Sequence, residues 1–514
     1  MAKQRASLLC LVLVSFPTKV SGNDYEYALP SGKLPLVITS IHTSRQHEAI
    51  LRRVRGGAQT TSKDLAKQEA EASTVVGFFS LEKGNAIGRG SWRMPRDDDN
   101  GTSSMATSIF NLANNVAGAG ILTLAAGKAT GTGWIPSIII CFALALCSSH
   151  TFVLIGKACE MTGEHTFKEL WDDAFGEKTA WIVDTLVFLQ CFFVSIIYTG
   201  LLGDIFSALL KSAGVSSILA ERTSVIQIST VCILWPLSMI KDMSSLAFTS
   251  ILGLAAVLYT VFFIILRSLD QTYSLDPVGK FISEGEIMIP SFDKSTLWNF
   301  DFNSLVLISN LGLAYIAHYN APLYWKSLAD ATTKRFKKVS LWSYGILGLI
   351  YTMVMVAGYA TFGDICQGNI LLNYSATDIL STLARLSTGF SLLFGFPLIF
   401  NGVVGGLQNA SSALGISSLS NPKYHTALVT ILLLSTTLLS LVLKDVQLVA
   451  GLTGALIGSA LVYIFPVMIH SNIVYKFRGK DSEEYKKAKK NLLFIPFGLF
   501  TASVGVFMTL KNVK

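Results

Sequence analysis

The sequence predicts an all-α polytopic membrane protein with about eleven transmembrane helices, and three observations carry that prediction. Hydrophobic residues make up 51% of the 514 positions against 14% charged, with a mean hydropathy of +0.51. Such a chain is solvated mainly by lipid. Apolar runs of the roughly 20 residues needed to cross a bilayer recur from residue 104 onwards. The first of them, Phe110–Leu122, holds Asn111, Asn114 and Asn115 and the small-residue stretch Gly118-Ala119-Gly120 in its middle. A span that only had to sit in hydrocarbon would not carry such residues. Irregular backbone at membrane depth survives only where protein or a hydrated cavity receives the freed polar groups.

The runs are expected at 104–127 (span 1), 131–156 (span 2), 182–210 (span 3), 224–240 (span 4), 245–266 (span 5), 303–322 (span 6), 339–362 (span 7), 378–407 (span 8), 425–443 (span 9), 446–470 (span 10) and 491–510 (span 11). Spans 1 and 6 stand apart from the rest by their polar and small residues. Span 6 carries Asn310, His318 and Asn320 close to Pro322, which has no backbone N–H to donate and breaks a helix. With residue 103 in the cytoplasm, the inner loops hold roughly twice as many Lys and Arg as the outer loops and C-terminal tail together. The richest are 334–338 and 486–490. The +8 net charge therefore reflects the positive-inside bias, and no basic patch with interleaved aromatics points to nucleic acid.

Residues 23–103 are expected to form a disordered N-terminal tail, polar and without a sustained period. Residues 1–22 read as a signal or targeting segment. Lys3 and Arg5 precede a ten-residue apolar core, Ser7–Phe16, too short to span a membrane. The alternative reading is an apolar patch in a cytosolic tail. Phe16 followed by a basic, hydroxyl-containing stretch also resembles the bipartite plastid leaders of algae. Of the seven cysteines only Cys366 falls in an outer loop, so no disulfide framework is expected. The histidines show no metal-ligand spacing.

Several motifs together are similar to the amino acid/auxin permease family, and most closely to its sodium-coupled neutral amino acid transporter branch. Phe110–Leu124 resembles that family's first span, and Tyr198–Asp204 its span 3 motif. Lys241–Ser250 resembles the short inner loop entering span 5, and Ala317–Tyr324 the broken span 6. Gly358–Gly363 and Asn369–Tyr374 are similar to the end of span 7 and the loop after it. The resemblance implies a LeuT-like 5+5 inverted repeat plus one span, within a transporter domain at 104–510, with repeats at about 104–267 and 303–470. The two odd spans open the two proposed halves, and paired interruptions of this kind mark midplane substrate sites in secondary transporters.

An amino acid presents a carboxylate and an ammonium. The expected substrate-binding residues are Asn114, Asn115, Gly118, Ala119, Gly120 and Ile121 in span 1, with Asn310, His318 and Asn320 in span 6. The glycines let the backbone unwind and approach a ligand, and a half-helix starting there would aim its positive end at the carboxylate. The same glycines could instead serve close helix packing. The resemblance places His318 at the family's span 6 histidine; a satisfied packing histidine is the alternative. Asp204 is expected to be a structural or gating partner, and Asp184 to be interfacial.

Span 8 departs from the family pattern. Its Phe-Pro-x-x-Arg-type ending reads Phe396–Gly402 without an arginine, and the family's sodium-holding hydroxyl falls near Leu393. Asn111, Ser387, Thr388 and Ser391 are the expected ion-binding groups, unless the hydroxyls only bond within their own helix. The function implied is alternating-access transport of neutral amino acids, with no cofactor beyond Na+ or H+ as coupling ion. A non-transporting amino acid sensor of the same fold is the alternative. A membrane enzyme would want paired acid or nucleophile groups near one interface, which the sequence does not offer. The expected partners are an amino acid and bilayer lipid, and nothing in the tail names a protein partner. A multi-pass protein of the plasma membrane, an endomembrane or a plastid membrane fits. Of the sequons at Asn100, Asn373 and Asn409, only Asn373 is expected to face the lumen.

Overall fold

The computed structural model describes residues 101–240, 247–283, 289–413, 415, 419 and 421–512. The expected targeting segment and nearly all of the tail lie outside the described residues. Gly101–Ser103, assigned to the tail, are ordered: Ser103 N–H donates to the Ser327 carbonyl at 2.9 Å, and its own carbonyl accepts from Ala329 at 2.9 Å. That bridge fixes the entry to span 1 beside the exit of span 6.

Span 1 is Met105–Val116 followed by Ala119–Ala129, bent by 50° at the break. Span 2 is Trp134–Thr162 and span 3 is Ala180–Ser212. Span 4 runs over 222–238, and span 5 is Ala247–Leu269. Span 6 is Ser304–Ala314 followed, after a gap, by short helices over 318–327. Spans 7 and 8 are Thr333–Phe362 and Ile379–Ala413. Spans 9, 10 and 11 are His425–Val442, Val446–Arg478 and Phe494–Lys511.

Among the described residues eight unbroken helices are long and apolar enough to cross a membrane, and the bent pair of span 1 makes nine. The sequence-derived total of about eleven is not reached by this criterion, because span 6 is divided and the described helix of span 4, over 222–238, falls just short of the required length. Span 4 contains a π-helical turn at Thr230–Leu234 with Pro236 just after it. Span 6 is two short pieces.

The sequence places the break of span 6 at Pro322, but the gap lies upstream at 315–317. Pro322 instead opens the second half-helix, where the missing N–H costs nothing. Elements five apart pack on each other, span 2 against span 7 and, most extensively of all, span 3 against span 8. That pairing of like with like is what a bundle of two inverted repeats requires.

Charge pairs pin the end of the bundle at which spans 3 and 5 finish. Arg267 holds the carboxylate of Asp378 with two hydrogen bonds of 2.6 and 2.8 Å, and the Tyr273 hydroxyl donates to the same group at 3.1 Å. Asp378 in turn caps the start of span 8 through Leu380 N–H. Arg385 donates to the carbonyls of Leu371, Tyr374 and Ser375. Asn373, expected to present a sequon, is turned inward: its side chain accepts from Gln367 N–H at 2.8 Å and donates to the Ile365 carbonyl at 2.9 Å. Asp204 pairs with Arg222 at 2.6 Å, tying span 3 to span 4, and Arg222 reaches the Ser440 carbonyl in span 9. Asp184 lies 3.7 Å from Lys168 of the segment joining spans 2 and 3.

A glycine seam joins span 6 to span 10. A Cβ on Gly312 would lie 3.0 Å from the Gly454 carbonyl oxygen, and one on Gly458 would lie 2.9 Å from that of Gly312. Gly312→Val should therefore lower stability by about 1–3 kcal/mol through overpacking. Gly345→Val, at a position with open space around it, should leave the thermal midpoint in detergent within error of wild type.

Candidate functional site

The break in span 1 follows from its residues. Val116 ends the first half-helix, and Ala117 leaves helical geometry at φ −71°, ψ 62°. Gly118 is extended at φ −99°, ψ −159°, and the chain re-enters helix at Ala119. Gly118 N–H turns back onto the Val116 carbonyl at 2.7 Å. Across the gap, a Cβ on Gly120 would lie 3.0 Å from the Ala314 Cα, so the two broken spans touch backbone to backbone at this level. In span 6 the gap covers Tyr315, Ile316 and Ala317, the last at φ −151°, ψ 5°.

These breaks front a cavity of about 230 Å³, walled by spans 1, 3, 5, 6, 7 and 8. Six expected substrate residues meet there: Asn114, Asn115, Gly118, Ala119, Gly120 and Ile121. The N-terminus of the second half-helix of span 1 faces the same space, as a carboxylate would need. From span 8, Thr388 and Ser391 reach the cavity, spaced with Gly395 and Leu398 along one helical stripe.

The other expected residues lie elsewhere, each for a visible reason. His318 is fully buried against span 2, with Nε2 3.0 Å from both the Thr151 hydroxyl and the Ser148 carbonyl and its ring edge-on to Phe152. Asn310 is buried below the break, its amide donating to the Thr123 carbonyl at 3.3 Å. Asn320 is buried outside the cavity while its neighbour Tyr319 lines it. Asn111 lies a turn below the cavity, where its carbonyl accepts from the Tyr324 hydroxyl at 3.3 Å. Ser387 is one turn above Ser391 and bonds back to the Ala384 carbonyl at 3.2 Å. Leu393 is not part of the cavity wall.

The cavity also recruits residues that the sequence did not mark. The Tyr198 hydroxyl stands beside the unwound stretch of span 1, 3.5 Å from where a Gly118 Cβ would be. Thr260 of span 5 pairs with Thr388 at 2.8 Å. Gln190 of span 3 lines the cavity, is 2% exposed, and has an amide oxygen without a hydrogen-bond partner. Outside the cavity wall, Lys128 at the C-terminal end of span 1 is capped by the rings of Tyr359 and Trp134 at 3.8 and 4.3 Å and donates to the Thr132 carbonyl at 2.9 Å. Tyrosines and threonines of this kind are read as packing until their neighbours are known.

The sequence profile of the family described as transmembrane amino acid transporter protein matches residues 101–511. The chain belongs to that family. It is 28% identical over 370 residues to "Putative sodium-coupled neutral amino acid transporter 11" of Danio rerio, covering 71% of this chain and 78% of the relative. It is 26% identical over 378 residues to vacuolar amino acid transporter 5 of Schizosaccharomyces pombe, covering 72% and 85%. Among solved structures, it is similar to Mhp1, a nucleobase-cation-symport-1 family transporter in a closed conformation with bromovinylhydantoin bound. That match has a TM-score of 0.51 and 13% identity, over 81% of this chain and 92% of the other. This likeness shows the fold, the LeuT type implied by the sequence motifs.

Two substitutions separate site from scaffold. Gly118 has room on its cavity side, so Gly118→Trp should fill the cavity and reduce amino acid uptake at least a hundredfold with surface expression unchanged. His318→Gln removes a packing contact, so the pH dependence of uptake, measured from pH 5 to 8, should keep the wild-type profile while its amplitude follows the amount of folded protein.

Proposed function

We propose that the protein is a secondary carrier that moves small neutral amino acids by alternating access, one half of the bundle rocking against the other around the cavity. The observation that carries this reading is the composition of the cavity wall. None of the described residues lining it is Asp, Glu, Lys, Arg or His, while the unwound backbone of span 1 borders it. A zwitterion brings one charge of each sign, which helix dipoles, amides and hydroxyls can meet. A charged side chain would add a third charge with no counter-ion at membrane depth. At about 30 Å³ per water, the space holds roughly eight waters, or one amino acid of modest size.

In this reading the substrate carboxylate lies at Gly118–Gly120, beside the Tyr198 hydroxyl. The ammonium faces carbonyl and amide oxygens of 114–117. The side chain points along spans 3 and 8, where the unpaired Gln190 oxygen favours a substrate with a donor. Na+ or H+ is the coupling ion we propose. For Na+, the oxygens this chain offers are the hydroxyls of Thr388 and Ser391 and the carbonyl of Leu393, whose usual helical donor is absent because residue 397 is proline. The names of the relatives support residence in the plasma membrane or an endomembrane.

The test is uptake of a labelled amino acid panel into proteoliposomes with imposed Na+ or pH gradients. Neutral amino acids should accumulate, and Asp, Glu, Lys and Arg should neither accumulate nor compete. Gln190→Leu should weaken uptake of substrates with amide or hydroxyl side chains roughly tenfold, the size of one buried hydrogen bond, and leave alanine nearly unchanged. Amino acid binding without flux under either gradient would overturn the carrier reading.

A further inference from the structure

The loose ends of the two broken spans converge on one side chain behind the cavity. Tyr351, in the middle of span 7, is fully buried. Its hydroxyl oxygen lies 2.7 Å from the Val116 carbonyl oxygen and 2.9 Å from that of Ala314. Val116 is the last residue of the first half-helix of span 1, and Ala314 the last of the first half-helix of span 6. Each carbonyl closes a half-helix with its negative end, and each residue borders the cavity. A phenol carries one proton, so Tyr351 can donate to only one of them at a time.

The two carbonyls are not equally served. The Val116 carbonyl already accepts from Gly118 N–H at 2.7 Å. In the helix that the gap interrupts, the Ala314 carbonyl would have been met by the amide of residue 318. In the structure as it stands, the phenol proton is needed at Ala314. Gly118 N–H, however, borders the cavity and belongs to the segment that would receive a carboxylate. Once that amide turns to the ligand, the Val116 carbonyl loses a donor and competes for the phenol proton.

We propose that Tyr351 is a positioning residue that couples the two broken spans, passing its one proton from Ala314 to Val116 when the substrate carboxylate takes the Gly118 amide. This deepens the carrier reading and rests on it. The exchange frees the end of the first half-helix of span 6 only when the site is filled. Substrate occupancy in span 1 thereby reaches span 6 without any ionised side chain. The ring is held independently of its hydroxyl, packed at 5.1 Å against Tyr315, so Tyr351→Phe removes the proton and keeps the packing.

Full-length wild type and Tyr351→Phe would be compared in proteoliposomes for uptake, and in detergent for stabilisation by the same amino acid. The variant should bind with a concentration dependence within about threefold of wild type, because the groups that meet the substrate remain. Its maximal uptake rate should fall at least tenfold, because occupancy no longer releases span 6. A variant with unchanged maximal rate, or one whose rate and binding capacity fall together with the folded fraction, would overturn the coupling role. Those outcomes differ from failure of the underlying reading, in which wild type itself binds amino acids and moves none.

Discussion

The constraint on which this structure depends is that hydrocarbon offers no partner to a freed peptide group. Two spans give up helical hydrogen bonds at the same depth, and the bundle has to supply replacements. Span 7 does most of this. Its Tyr351 hydroxyl serves the carbonyl ends at Val116 and Ala314, and Tyr344 donates to the Tyr315 carbonyl at 3.2 Å. Tyr315 reaches the other way, to the Cys141 carbonyl of span 2 at 3.1 Å. A long unbroken helix thus acts as a rack of hydroxyl donors for its interrupted neighbours. The breaks can exist because spans 2 and 7 do not break.

Rigid contacts and exchangeable ones are separated in space. The ion pairs of Arg267 with Asp378 and Arg222 with Asp204 stand at one end of the bundle, and the glycine seam fastens span 6 to span 10 through backbone contact. Around the cavity the contacts are hydroxyls, amides and carbonyls, each of which can trade one partner for another at small cost. Breaking a buried ion pair would leave an uncompensated charge and cost several kcal/mol. Exchanging one hydrogen bond for another costs far less than leaving a group unmade. A device that must visit two states can use the second kind of contact at its centre and the first kind only at its margins.

Span 1 was legible because its signal is local: asparagines and glycines together inside an apolar run are costly in lipid without partners, and the structure brings Asn114, Asn115 and Gly118–Ile121 to the cavity. Span 6 was legible only as odd. Pro322 marks the start of a half-helix rather than the gap, a distinction that depends on whether the lost N–H was needed. His318 drew attention as a lone polar group at membrane depth, yet its partners, Thr151 and the Ser148 carbonyl, lie some 170 positions away in the chain, where no pattern reading could find them. Tyr198 and Tyr351 were missed for the opposite reason. A tyrosine in a span looks apolar, and only its neighbours reveal what its hydroxyl does. In span 8, Ser387, Thr388 and Ser391 were equivalent as a composition; the cavity takes the last two, and Ser387, about 1.5 Å along the axis from Thr388 but turned about 100° round the helix, faces elsewhere.

An empty carrier has to return, and that requirement bears on how tightly its site can be made. Donors held open for a substrate would be unsatisfied in the empty state, and each would cost about 1–3 kcal/mol. In this chain a candidate donor is already occupied, Gly118 N–H by the Val116 carbonyl, and the Tyr198 hydroxyl stands beside the same stretch. Binding is then an exchange of partners, and only the difference between the two sets of bonds appears as affinity. A ligand shifts a conformational equilibrium by no more than its differential interaction with the two states. Self-satisfaction of the unwound segment therefore lowers affinity, keeps the empty form passable, and leaves the binding energy to be expressed as a rearrangement of the same few hydrogen bonds that join span 1 to span 6.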